Sequence, residues 1–393
     1  MISRKMEMFV ESGSAIRAMF EEGRQMAQRY GHENVCDFSL GNPNLPTPEA
    51  VKSAIIDILE KGDPKEIHGY MNNSGFHDVR KAVAESINQK HETNFTKENI
   101  VMTVGAAGGL NVVLNTFINP QDEIMVFAPY FGEYKSYAIS FDASFIEVSP
   151  NIPSFQPNLD EFVKKITPRT KLVIINSPNN PTGVVYTEET IIRLSEILTE
   201  KQKEFKTDIF LVSDEPYREL VYGDIQVPYI TKYYDNSIVA YSYSKSLSLA
   251  GERIGYLVIP SAVTDYEEVY SAANIGNRIL GFVNAPSLMQ KAVAQCLDVK
   301  VDVKYYDKNR QMLYEGLTEM GYDCTYPDGA FYLWVKTPID DDRKFVEMAK
   351  KFQLLLVAGT FFGCPGYVRI AYCVSPATIK TSLPKFMALK ESL

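Results

Sequence analysis

Cysteine is scarce in this 393-residue chain: Cys36, Cys296, Cys324, Cys364 and Cys373 form no CxxC pair, and their number is odd. That excludes a disulfide framework and points to a reducing, cytoplasmic setting. Histidine is scarcer still, and the four residues His32, His68, His77 and His91 lack a second ligand type at metal-site spacing, so no metal is expected. Positive charge is in deficit, with 40 Lys and Arg against 49 Asp and Glu and a net charge of −9. Because the basic residues are also dispersed, nucleic acid and anionic membranes are excluded as main partners. No apolar run approaches the ~20 residues that span a bilayer. The charged start (Arg4, Lys5, Glu7, Glu11) carries no apolar secretory region. Neither a repeat nor a low-complexity tract is present.

What is there is the composition of a globular protein, 45% hydrophobic and 23% charged, in a chain longer than one typical core. Apolar spacing through Ile16, Met19, Phe20 and Met26 predicts a helix over 14–30. A Gly- and Pro-rich break over 37–48 follows, then helices over 48–61, with Thr47 as N-cap, and over 75–91. Seven strand-length apolar runs come next, at 100–104, 123–128, 144–148, 171–175, 209–213, 237–241 and 254–259. Helix-length segments such as 108–117 and 187–206 separate several of them. This alternation predicts an α/β domain with a mostly parallel seven-stranded sheet flanked by helices. Strands at 322–325, 330–335 and 367–371, with helices at 342–352 and 376–392, form a smaller α/β domain. The expected organisation is an N-terminal arm (1–46) packed with the small domain, a large domain (47–287) and a small C-terminal domain (288–393).

Parallel sheets bind ligands beyond the carboxyl ends of their strands, and the chemically suggestive residues fall there. Lys245, in Ser242-Tyr243-Ser244-Lys245, is the residue type that forms Schiff bases, while Ser242, Ser244 and Arg253 suit a phosphate dianion. Gly105-Ala106-Ala107 opens a helix whose free N–H groups favour an anion, although a tight strand–helix turn needs no ligand. Asp214 ends a buried strand and needs a cation there, either an internal partner or a protonated ring nitrogen. Tyr217 and Asn180 could hydrogen-bond a ring oxygen, and Phe131 could cover a ring face or sit in the core. Arg369, inside an apolar strand, calls for an anion, from a substrate carboxylate or from an Asp or Glu of the chain.

Taken in order, these segments resemble the fold type I, class I pyridoxal phosphate aminotransferases over nearly the whole chain. The resemblance rests on the Gly41 turn, His68-Gly69-Tyr70, the Gly105 loop and Ser177-Pro178-Asn179-Asn180-Pro181-Thr182-Gly183. It continues through Ser213-Asp214-Glu215-Pro216-Tyr217, the Lys245 segment with Arg253, Gly329-Ala330-Phe331-Tyr332 and the Arg369 strand. It implies pyridoxal 5′-phosphate as cofactor, with Lys245 as Schiff-base lysine and proton carrier and Asp214 on the ring nitrogen. Tyr217 and Asn180 would then meet the ring oxygen and Phe131 the ring face. Ser242, Ser244, Arg253 and the backbone of Ala106 and Ala107 would hold the phosphate. Arg369, with Asn180 and the Gly41 backbone, would bind the substrate carboxylate. Tyr70 matches a tyrosine that reaches the phosphate of a neighbouring subunit, which implies a homodimer with shared sites.

The implied activity is amino-group exchange between an α-amino acid and a 2-oxo acid, with aspartate and 2-oxoglutarate as the first expectation. No second Arg matches a selector for a distal carboxylate, and Arg278 is the nearest to one. Tyr70, Phe131, Phe331, Phe361 and Phe362 point instead toward aromatic or aliphatic side chains. The alternatives are a C–S β-lyase using the same cofactor and a non-catalytic ligand-binding module.

Overall fold

The computed structural model describes residues 1–12 and 15–393. A helix runs over Ala15–Tyr30; Ser14, its expected first residue, lies outside the described residues. The short strand β1 (Cys36–Asp37) follows. Thr47 does not cap the next helix. That helix spans Glu49–Lys61 with Pro48 at the cap position, and Thr47 Oγ1 donates to the Ser248 carbonyl at 3.2 Å.

The large sheet contains β2 (Ile100–Thr103), β3 (Glu123–Phe127), β4 (Ser144–Val148), β5 (Thr170–Asn176), β6 (Phe210–Asp214), β7 (Ser237–Ser242) and β8 (Gly255–Val258). Its order is β2-β8-β7-β6-β5-β3-β4. Only β8 runs against the others, antiparallel to both β7 and β2. Side chains alternate between two cores: Val173, Ile175 and Leu211 enter one, while Leu172, Ile174 and Val212 enter the other. Burial on both faces explains why these strands read as continuous apolar runs. Each such side chain contributes roughly 1.5–3 kcal/mol on burial.

The smaller sheet contains β9 (Asp323–Thr325), β10 (Tyr332–Lys336), β12 (Val357–Ala358) and β13 (Tyr367–Ala371), all antiparallel, in the order β12-β13-β10-β9. Strand β11 (Leu354–Leu355) pairs in parallel with β1 instead. Met19, Ala27, Val35, Cys36 and Phe38 share one core with Leu333, Val335, Val368 and Ile370 of the smaller sheet. The preceding helix, Arg4–Ser12, reaches the segment before β4, where Lys5 pairs with Asp142 at 2.8 Å and donates to the Ser140 carbonyl at 3.1 Å. Among the described residues no helix is long and apolar enough to cross a membrane, and no three His, Cys, Asp or Glu side chains gather as a metal would require.

Candidate active site

The carboxyl ends of the parallel strands meet Tyr332 and Arg369 of the smaller sheet at a cavity of roughly 340 Å³. Strand β7 delivers Lys245 on a one-turn helix, Tyr243–Ser246, not on an open loop. Ser242, the last strand residue, caps that turn by accepting from the Ser244 amide at 3.2 Å. Lys245 Nζ donates to the Gly41 carbonyl at 2.7 Å and stands 5.6 Å over the Phe331 ring. Burial lowers its pKa to about 8; Cys373 opposes that shift, while Arg253 and Arg369 add to it. A lysine of this kind becomes a neutral, nucleophilic amine at lower pH than an ordinary lysine does.

Asp214 closes β6 and is buried. Its Oδ2 accepts a 2.5 Å hydrogen bond from Tyr134 Oη, while Oδ1 has no partner among the described residues. Burial raises its pKa to about 7; the Tyr134 bond works against that rise and Glu215 with it. A buried carboxylate left half-satisfied is costly, and a positively charged N–H at Oδ1 would both satisfy it and keep it ionised. Asn176, the last residue of β5, ties the neighbouring loops together. Its Nδ2 donates to the Asp214 carbonyl at 2.8 Å, and its Oδ1 accepts from the Asn180 amide at 2.7 Å. Tyr134 is not legible in the sequence as a site residue, since a tyrosine carries no sign of a partner 80 positions away.

The anion-binding end is built from the helix Gly105–Phe117, which has no side-chain cap, so its first N–H groups stay free beside Ala106 and Ala107. Arg253 adopts a left-handed backbone at φ 55° and is held by an Nη1 bond to the Ala250 carbonyl at 2.9 Å. Gly105, at φ 73°, lets the guanidinium approach: a Cβ there would lie 3.0 Å from Arg253 Nη2. Ser242 and Ser244, whose hydroxyls are 2.8 Å apart, complete this end.

Opposite, β13 carries Arg369, which is buried without an acidic partner among the described residues. Nη1 donates to Asn180 Oδ1 at 2.9 Å, Nη2 to the Ser39 carbonyl at 2.6 Å, and Nε to nothing. Tyr217 and Tyr332 face each other with hydroxyls 2.8 Å apart, and Phe131 lines the wall. Of the expected cofactor residues only Tyr70 lies away from the cavity, 94% exposed. Arg278 is likewise on the surface. Phe361 also lies outside, under Arg343, whereas Phe362 supports Arg369 from behind at 4.9 Å.

The donor set fits pyridoxal 5′-phosphate: an anion cradle, a buried carboxylate oxygen lacking a cationic donor, and an amine of lowered pKa share one cavity. The arginine then remains for a carboxylate.

Residues 33–385 match the family model described as aminotransferase class I and II. A solved aminotransferase structure from Eubacterium rectale superposes with a TM-score of 0.97 at 46% identity, covering 100% of this chain and 99% of that one. A probable aspartate/prephenate aminotransferase of Thermus aquaticus is 32% identical over 88% of this chain and 89% of its own length. The aspartate aminotransferase of Thermotoga maritima is 29% identical over 90% of each.

Proposed function

Starting from a chain that belongs to the aminotransferase class I and II family and is an aminotransferase, we propose that it exchanges the amino group between an α-amino acid and a 2-oxo acid in the cavity around Lys245. The family uses pyridoxal 5′-phosphate, which when bound supplies an electron sink for charge developing at the substrate Cα. The observation that carries this assignment is the unpartnered Asp214 Oδ1 in the same cavity as the Lys245 amine.

Of the residues lining the cavity, Asp214 would hold the cofactor's ring N–H and its charge, Tyr217 and Asn180 would donate to the ring oxygen, and Phe131 would cover a ring face. Ser242, Ser244, Arg253 and the amides of Ala106 and Ala107 would hold the phosphate. Arg369, fixed by Asn180 and the Ser39 carbonyl, grips the substrate carboxylate and so orients the Cα–H bond toward Lys245 Nζ. Nζ takes that proton and returns it on the far side of the exchange.

Aspartate with 2-oxoglutarate is the proposed first pair, supported by the names of the Thermus and Thermotoga relatives. Among the described residues the cavity offers only Lys245, Arg253 and Arg369 as cations, so a residue of a second copy would meet a distal carboxylate. The exposure of Tyr70 and Arg278 supports a homodimer with shared sites. Five free cysteines support a cytoplasmic setting.

The test is spectroscopic. Mixed with pyridoxal 5′-phosphate, the protein gains a visible absorbance band, which an amino acid then discharges. The rate of gaining the band rises with pH through about 8, the pKa to which burial lowers Lys245, and is flat above it, because only the neutral amine attacks. A protein that stays colourless ends the assignment, and a midpoint near the ordinary lysine value ends the account of Lys245.

A further inference from the structure

Building on that assignment, we propose that Tyr332 is a positioning residue that sets both ends of the site at once. Its hydroxyl turns the Tyr217 proton toward the cavity, and its ring face fixes the Arg369 guanidinium.

The sheet register brings these groups together. On the antiparallel pair β10–β13, Tyr332 stands opposite Ala371 and Trp334 opposite Arg369. Tyr332 and Arg369 are therefore diagonal neighbours on one face, within reach of an aromatic ring. The Arg369 guanidinium carbon lies 4.6 Å from the Tyr332 ring centroid. A cation over a desolvated aromatic face is held there by the ring quadrupole, and Tyr332 is only 2% exposed.

The other end of the same side chain meets Tyr217, hydroxyl to hydroxyl at 2.8 Å. Each hydroxyl has one proton, so whichever donates leaves the other's proton for the cavity. Burial raises both groups, and Arg369 acts against that rise in each. With Tyr217 giving its one proton to the cavity, as the proposed function requires, Tyr332 is the donor that fills the 2.8 Å bond. Gly41 leaves room for this arrangement: a Cβ there would fall 1.9 Å from Tyr332 Oη. The carbonyl of Gly41 takes the Lys245 bond at 2.7 Å, so Lys245 and Tyr332 rest on one residue. In the sequence Tyr332 ends Gly329-Ala330-Phe331-Tyr332, where residue type alone assigns it no task.

The experiment compares wild type, Tyr332→Phe and Tyr332→Leu, each loaded with pyridoxal 5′-phosphate. It reads the pH midpoint of the visible band and the affinity for propionate, a carboxylate that cannot react. A donor to the ring oxygen stabilises the deprotonated form, so weakening Tyr217 raises the midpoint. Tyr332→Phe should raise it by about 0.5–1 unit, the worth of one neutral hydrogen bond, with propionate affinity within about twofold of wild type because the ring remains. Tyr332→Leu should show the same rise and bind propionate about tenfold more weakly. A wild-type midpoint in Tyr332→Phe overturns the hydroxyl role, and wild-type propionate binding in Tyr332→Leu overturns the ring role. A wild-type protein without any band overturns the cofactor assignment and this proposal with it, a result distinct from either.

Discussion

Lys245→Ala should abolish turnover while leaving a folded protein that still takes up cofactor. The substitution removes the only lysine amine lining the cavity among the described residues, the group proposed to act as both nucleophile and proton carrier. General acid–base catalysis alone is worth about 10²–10⁴ in rate, so the half-reaction with an amino acid should slow by at least that factor. Folding should survive: the direct loss is one hydrogen bond to the Gly41 carbonyl, about 1 kcal/mol, and a cationic group whose burial was unfavourable. Uptake persists through the anion cradle and Asp214. Single-turnover absorbance measurements decide the matter. A variant that discharges amino acids within tenfold of the wild-type rate would remove Lys245 from the mechanism.

Asp214→Asn should produce the second large loss. The amide keeps the shape of the carboxylate and a partner for Tyr134, so the effect isolates charge. Removing one partner of a buried charge pair costs about 3–5 kcal/mol, which converts to a fall of roughly 10²–10³ or more in kcat. Because the charge is needed most where negative charge builds up at Cα, kcat and kcat/KM should fall together. Tyr134→Phe takes away only the 2.5 Å bond at Oδ2 and should cost about tenfold. Near-wild-type kcat in Asp214→Asn would refute the ring-nitrogen role.

The large sheet was legible because its strands are buried on both faces. The run expected at 171–175 falls inside β5, Thr170–Asn176, and the run at 209–213 overlaps β6, Phe210–Asp214. Strand order was not, because pairing β8 against β7 depends on tertiary contacts that no local pattern encodes. Strands β1 and β11 escaped notice for a related reason: each is two residues long, too short for any periodicity. The reactive groups of the site could be read from residue type, as with a lysine among hydroxyls or an arginine in an apolar strand. Their supports could not. Tyr134 meets Asp214 across 80 positions and Tyr217 meets Tyr332 across 115, and nothing about a tyrosine announces such a partner. Thr47 failed as a cap because a tertiary acceptor, the Ser248 carbonyl, took its hydroxyl.

The bond from Arg369 to the Ser39 carbonyl joins residues 330 positions apart, and this bears on how the molecule is born. At about 5–20 residues per second, a ribosome needs roughly a quarter of a minute to a minute to make that stretch. Throughout that interval Phe38 and its neighbours have emerged with no core to enter, since most of their packing partners lie beyond residue 300. The large sheet is complete in sequence by Val258, but the Arg369–Ser39 bond is made only as translation ends. A nascent chain halted before Arg369 would already contain Lys245, Asp214 and Arg253, yet would lack the cation proposed to hold the amino acid's carboxylate.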